Sequence, residues 1–128
     1  MTFISNQTQN TSLKVLIVED IKTNQTLIKL LFAKMGLDIT LADDGVQALQ
    51  KTSSQSFDLI LMDIQMPNMN GYEATKAIRQ QGDKTPIVAL TANAMNGDVQ
   101  KCISAGCDDY LSKPIDPKKL MAKTAQSL

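Results

Sequence analysis

Five short apolar runs, each followed by a stretch with helical spacing, divide this chain into repeated strand-then-helix units. The runs are Val15 to Val18, Asp38 to Leu41, Leu59 to Met62, Ile87 to Leu90 and Asp109 to Leu111. The first, third and fourth are nearly continuous in apolar residues, the pattern of strands covered on both faces. Repeated β-then-α units demand a parallel sheet with right-handed crossovers and helices on both sides. The expectation is therefore an α/β protein with five parallel strands and five helices in a doubly wound arrangement.

The helices are marked by apolar spacing and by their ends. Leu27, Leu30, Leu31 and Lys34 follow an i, i+3, i+4, i+7 path and are read as the core face of the first helix, with the Lys34 stem along the core edge. Val46 and Leu49, then Ala74, Ala77 and Ile78, then Val99, Cys102 and Ile103, then Leu120, Met121 and Thr124 mark the other four. Asn70-Gly71-Tyr72-Glu73 has the spacing of a capping box and should start the third helix. Gly36, Gly82 and Gly106 fall where a left-handed residue closes helices one, three and four.

The 128 residues, 43% of them apolar, suit one domain with a real core. Residues 1–12, with the polar tract SNQTQNTS, read as a flexible leader or the end of a linker, and the domain as 13–128. Thirteen basic residues balance thirteen acidic ones, so no net field argues for nucleic acid or an anionic membrane. With no His and only Cys102 and Cys107, a Cys/His zinc site is excluded, and the cysteines are expected as free thiols. No secretory signal or membrane span is evident, which points to a cytoplasmic protein. Nothing in the 128 residues encodes a DNA-binding output.

Acidic residues end two of the apolar runs: Glu19-Asp20 the first and Asp63 the third. In an open parallel sheet, ligands bind beyond the carboxyl ends of the strands, where strand order reverses. If strand one lies beside strand three there, the three acids share a pocket. Each pair at ~4 Å then costs roughly 1 kcal/mol in water and about 4 near a protein surface. Such a cluster implies a shared proton or a hard divalent cation, and oxygen-only ligands favour Mg²⁺. Singly, these acids are also the residue types that cap a helix or organise a turn. Phosphate-binding folds put a Gly-rich or Ser/Thr-rich loop after the first strand, whereas two carboxylates stand here.

Pro67 and Asn70-Gly71 constrain the loop after Asp63 and would let Gln65 present its backbone carbonyl to a metal. A carboxylate beside a cation stays ionised and can attack a phosphoryl group. Thr91 ends strand four, as a helix cap or as a hydroxyl donor beside the small Ala92. Lys113 ends strand five; Pro114 after it is expected in a cis bond that aims the ammonium into the crevice instead of into solvent. Tyr110, in the middle of strand five, is open between core and functional roles. The methionines at 62, 66, 69, 95 and 121 read as core or loop filling.

The segments LKVLIVED with Asn24 following, LILMDIQMPNMNGYEA, TPIVALTANAM and AGCDDYLSKPID resemble the receiver (phosphoacceptor) domain of two-component response regulators. The resemblance runs from about Leu13 to Leu128 and is greatest to receivers associated with hybrid histidine kinases. It implies the flavodoxin-like sheet of order 2-1-3-4-5. It also implies that Asp63 is the phosphorylated aspartate, and that Mg²⁺ is held by Asp20, Asp63 and the Gln65 carbonyl, with Glu19 acting through water. By the same resemblance Lys113 contacts the phosphoryl group, Thr91 is the switch and Tyr110 the aromatic that follows it, and Gln65 and Asn93 flank the water that removes the phosphoryl group. Cys107, where Met is common, is a neutral departure. The implied partner is a histidine kinase or a histidine phosphotransfer protein, and the implied state a monomer or a weak phosphorylation-dependent dimer. The domain is then a switch that catalyses only its own phosphorylation and slow dephosphorylation.

Two other classes compete. A haloacid-dehalogenase-like phosphatase wants an acid two residues after its nucleophile, and Gln65 stands there. A flavodoxin-like flavin binder wants an anion-friendly first loop, and Glu19-Asp20 is the opposite.

Overall fold

The computed structural model describes residues 12–66, 68–92 and 97–128. All but the last residue of the 1–12 leader, together with Pro67, Asn93 and Met95, lies outside the described residues. Five units alternate: β1 (Lys14–Val18), α1 (Lys22–Ala33), β2 (Asp38–Ala42), α2 (Gly45–Ser54), β3 (Leu59–Asp63), α3 (Gly71–Gln80), β4 (Ile87–Thr91), α4 (Val99–Ala105), β5 (Asp109–Ser112) and α5 (Pro117–Ser127). The strands form one parallel sheet of order β2-β1-β3-β4-β5. No helix among the described residues is long and apolar enough to cross a membrane.

Successive residues of a strand point to opposite faces, so a continuous apolar run supplies two cores at once. Leu16, Val18, Ile60, Met62 and Ala89 meet Ala48, Ala74, Ile78 and Cys102 on the side of α2, α3 and α4. Val15, Ile17, Leu59, Leu61, Val88 and Leu90 meet Ile28, Phe32 and Leu120 on the side of α1 and α5. In-register pairs such as Leu16 with Ile60 and Leu61 with Val88 keep the two sets apart.

The helix ends follow the sequence closely. Asn70 accepts a hydrogen bond from the Glu73 amide at 2.9 Å and the Asn70 amide donates to Glu73 at 3.0 Å, completing the capping box of α3. Gly36, Gly82 and Gly106 have φ of 71°, 82° and 113°. The phase of α1 differs from expectation. Its buried residues are Gln25, Ile28 and Phe32, while Leu27 and Leu30 are 39% and 62% exposed and Lys34 is an exposed C-cap. Gln25 sets this phase, because its side-chain amide donates to the Glu19 carbonyl and, at 2.7 Å, to Asp43, so the polar residue turns inward. Val46 and Ile103 are likewise exposed, their places in the core taken by Ala48 and Ala105. Met62 is in the core, Met66 and Met69 pack against it, and Met121 is half-buried.

At the amino end of the sheet, Arg79 of α3 ties several segments together. Its Nε donates to the Gly106 carbonyl at 3.0 Å, and Nη1 donates to the Asp83 and Thr85 carbonyls at 2.9 and 2.8 Å. Nη2 donates to Asp108, whose same carboxylate oxygen also accepts from the Ile87 amide.

Cys102 and Cys107 are both free and buried. Burial raises the Cys102 thiol above its usual range and pushes Cys107 up to about 11. The thiolate is the reactive form, so alkylation at pH 8 should be roughly two orders of magnitude slower in the folded protein than in urea, followed by intact mass. Equal rates in both conditions would show that the α4 side of the core opens freely.

Candidate functional site: an acidic pocket at the carboxyl edge of the sheet

The order β2-β1-β3 brings the carboxyl ends of β1 and β3 side by side, which places Glu19 and Asp20 next to Asp63. Oxygens of the three carboxylates lie within 4.8 Å of one another, the one such group of acidic, His or Cys side chains among the described residues. Glu19 and Asp63 are buried and Asp20 is half-buried.

Each side chain is held from its own backbone outward. The Glu19 amide donates to the Ala42 carbonyl of β2 at 3.0 Å, extending the sheet by one rung. Its carboxylate accepts from the Ile21 amide at 3.0 Å and from Asn24 Nδ2 at 3.4 Å, fixing it against the first turn of α1. Neither Glu19 nor Asp20 caps that helix: its N-cap position is Ile21, without a side-chain cap. Asp63 Oδ1 accepts from the Gln65 amide at 3.2 Å and faces Lys113 Nζ at 2.9 Å. Lys113 also lies 3.8 Å from Glu19, and its amide donates to the Thr91 carbonyl at 2.8 Å. The Lys113–Pro114 peptide is cis, as expected.

Two carboxylate oxygens, Asp20 Oδ1 and Asp63 Oδ2, are buried without a hydrogen-bond partner. Three acids against one ammonium leave an excess of negative charge in a largely buried pocket. Burial first, and the Asp63 charge after it, push the Glu19 carboxyl up to about 7, while Lys113 and the Ile21 amide act in the opposite sense. The pocket therefore relieves its charge by holding a proton or a cation. Its oxygen-only donors, two of them orphaned, fit a hard divalent ion such as Mg²⁺.

The loop after Asp63 is packed closely. The Gly71 amide donates to the Ile64 carbonyl at 2.9 Å, and a β-carbon at Gly71 would overlap the Asp63 carbonyl and lie 2.7 Å from Ile64 Cα. A β-carbon at Gly45 would lie 2.8 Å from the Met69 carbonyl, so α2 and this loop are also in contact. Gln65 is exposed at the pocket rim.

Thr91 is buried and its hydroxyl donates to Asp98 Oδ2 at 2.8 Å, while the residues it would cap lie outside the described ones. Asp98, in the N-cap position of α4, was not singled out by the sequence reading. Its one visible signal, an acid just before a helical pattern, suggests a cap, yet it makes no side-chain cap bond to α4. Tyr110 is 37% exposed on β5, which removes the core reading. Glu19, Asp20, Asp63, the Gln65 amide and Lys113 are thus one constellation, with Thr91 and Lys113 linked through their backbones.

A parallel 2-1-3-4-5 sheet with a pocket at its carboxyl edge is a flavodoxin-like doubly wound fold. The family model described as response regulator receiver domain matches residues 15–125, and the chain belongs to that family. It is 53% identical over 116 residues to Hybrid signal transduction histidine kinase I of Dictyostelium discoideum, a match that takes in 84% of this chain and 7% of that protein. It is 43% identical over 112 residues to Sensor histidine kinase GacS of Pseudomonas protegens, covering 84% of this chain and 12% of that one. The chain spans only these small fractions of the relatives' length. Among solved structures, it superimposes with a TM-score of 0.84 and 41% identity on the receiver domain of sensor histidine kinase PA1611 from Pseudomonas aeruginosa, covering 91% of this chain and 97% of that one. That structure is described as holding a magnesium ion coordinated in its active site cleft. Chemotaxis protein CheY4 of Vibrio cholerae gives a TM-score of 0.87 at 32% identity, with 92% and 100% coverage.

Replacing Asp20 by Asn removes one charge from the cluster and keeps its shape. In EDTA, Asp20→Asn should be more stable than wild type by about 1 to 4 kcal/mol, between the aqueous and near-surface costs of one close pair. Its melting temperature should rise by several degrees. An unchanged or lower value without metal would mean that the pocket carries no net repulsion.

Proposed function

We propose that this receiver domain accepts a phosphoryl group from a phosphohistidine onto Asp63 and thereby switches a partner-binding face. The observation that carries this reading is the state of the Asp63 carboxylate. One oxygen is held by Lys113 and the Gln65 amide, and the other is buried, unpartnered and next to the Asp20 carboxylate. An ionised carboxylate oriented in this way is a nucleophile.

In the reaction an Asp63 oxygen forms a bond to phosphorus as the phosphorus–nitrogen bond of the donor breaks, and the imidazole leaves and takes a proton. These 128 residues contain no His, so the donor imidazole belongs to a histidine kinase or a histidine phosphotransfer protein, or to another domain. Lys113 pairs with a phosphoryl oxygen and offsets the charge that builds on it. Asp20, Asp63 and the Gln65 carbonyl, with Glu19 behind them, would hold Mg²⁺, which supplies Lewis-acid neutralisation of the phosphoryl oxygens. The Thr91 hydroxyl then turns to the acyl phosphate, and Tyr110 with α4, β5 and α5 forms the face that responds. The unit that does this is 13–128, with 1–12 as its leader or linker end, in support of which the strands and helices run from Lys14 to Ser127. It acts in the cytoplasm, as a monomer or a weak phosphorylation-dependent dimer, and on no substrate but its own Asp63.

Acetyl phosphate with Mg²⁺ should add a single phosphoryl group to the wild-type domain by intact mass. Asp63→Asn should abolish the adduct while the fold persists; full phosphorylation of that variant would remove Asp63 from the role. Lys113→Ala should slow adduct formation by about a hundredfold. Thr91→Ala should still be phosphorylated, with smaller phosphorylation-dependent NMR shifts at Tyr110 and α4, and shifts equal to wild type would refute its switch role.

The lifetime of the acyl phosphate depends on a water in line with it, and Gln65, an exposed amide at the rim, flanks that approach together with Asn93. Neither amide is a strong base, so self-dephosphorylation should be slow to moderate. Replacing Gln65 or Asn93 by a bulky or basic residue should change the decay rate severalfold with little effect on Mg²⁺ affinity. Decay identical to wild type in all such variants would show that neither side chain governs the water.

A further inference from the structure

The hydroxyl of Thr91 has one proton to donate, and in this structure that proton goes to an anion other than a phosphoryl group. Asp98 Oδ2 takes it at 2.8 Å, a charge-assisted bond inside a side chain pair that is buried at the Thr91 end. Asp98 does not use its carboxylate to cap α4, although it stands in the N-cap position directly before Val99. Two anions thus compete for a single hydroxyl.

We propose that Asp98 is a positioning residue that latches Thr91 in its resting orientation, so that a phosphoryl group on Asp63 must displace the Asp98 carboxylate before the switch moves. The proposal rests on the phosphoacceptor reading of Asp63 and Thr91. Displacement is delivered straight to α4, because the released residue is the one that precedes its first turn. The carboxylate has somewhere to go. Beside it lies a cleft of about 390 Å³ lined by Ile64, Gln65, Met66, Asn70, Tyr72 and Asp98 itself. The Tyr72 hydroxyl is buried and already lies beside Asp98 and Cys102. It keeps its proton, since burial first, and then the neighbouring Cys102 and Asp98, hold its pKa above the usual range. Asp98 therefore sets how readily the unphosphorylated domain visits the switched state.

The test uses beryllofluoride with Mg²⁺ as a phosphoryl mimic, with affinity measured by titration and the conformation followed by NMR. Asp98→Ala should bind the mimic about tenfold tighter than wild type, the size expected when a hydrogen bond to a charged group no longer opposes the change. Without the mimic, its Tyr110 and α4 resonances should already lie part of the way toward the bound positions. Asp98→Asn, which retains a carbonyl acceptor but no charge, should fall between wild type and Asp98→Ala in both readouts. In a Thr91→Ala background, Asp98→Ala should change nothing, which separates a latch from simple removal of a repelling charge. An affinity within twofold of wild type for Asp98→Ala, or a gain that persists undiminished without Thr91, would overturn the latch while leaving the phosphoacceptor reading standing. Failure of the wild-type domain to bind the mimic would overturn both.

Discussion

The contact between Lys113 and Asp63 is what allows this sheet to gather three carboxylates in one place. Without an ammonium 2.9 Å from Asp63 and 3.8 Å from Glu19, burying two acids beside a third would oppose folding strongly. The pairing leaves a deficit of positive charge instead of cancelling it. That deficit is the useful property, because a fully neutral pocket would have no need of a cation. Stability is given up locally, and the two apolar cores on either side of the sheet hold the arrangement in place.

Parallel register is what turns this from chance into architecture. Every strand of the sheet ends on the same edge, and strand order reverses between β1 and β3, the place where open parallel sheets form a crevice. Residues 44 positions apart, Glu19 and Asp63, become neighbours through that edge alone. Lys113 reaches them from the far side of β4 through the backbone bond between its amide and the Thr91 carbonyl. Gly71 completes the arrangement from the other direction, since only a residue without a side chain lets α3 start against the backbone of Asp63.

How much of this was legible in the sequence follows from how local each feature is. Strands β1, β3 and β4 are nearly continuous apolar runs with both faces buried, and the acids at the ends of β1 and β3 are read directly from position. The capping box and the three left-handed glycines are also local and were found where they were expected. The phase of α1 was not. Leu27, Leu30 and Leu31 satisfy the same spacing as Ile28, Leu31 and Phe32, and the choice is made by Gln25 reaching the Glu19 carbonyl and Asp43, contacts that no window of sequence contains. Asp98 was overlooked for a related reason: an acid ahead of a helix has a ready local explanation, and its actual partner is a threonine in another element. The order of the strands was implied by family resemblance and not by periodicity.

The Arg79 cluster at the amino edge has a mechanical meaning for α4. One end of that helix, at Gly106, is pinned through Arg79 to α3 and to the approach of β4, by a guanidinium that also grips Asp108. The other end, at Asp98, is moored to Thr91 by a hydrogen bond between side chains. A rod fastened at its tail and tethered at its tip behaves as a pointer. If Asp98 is released as proposed, the tip is the end left free to move, while Arg79 still holds the tail.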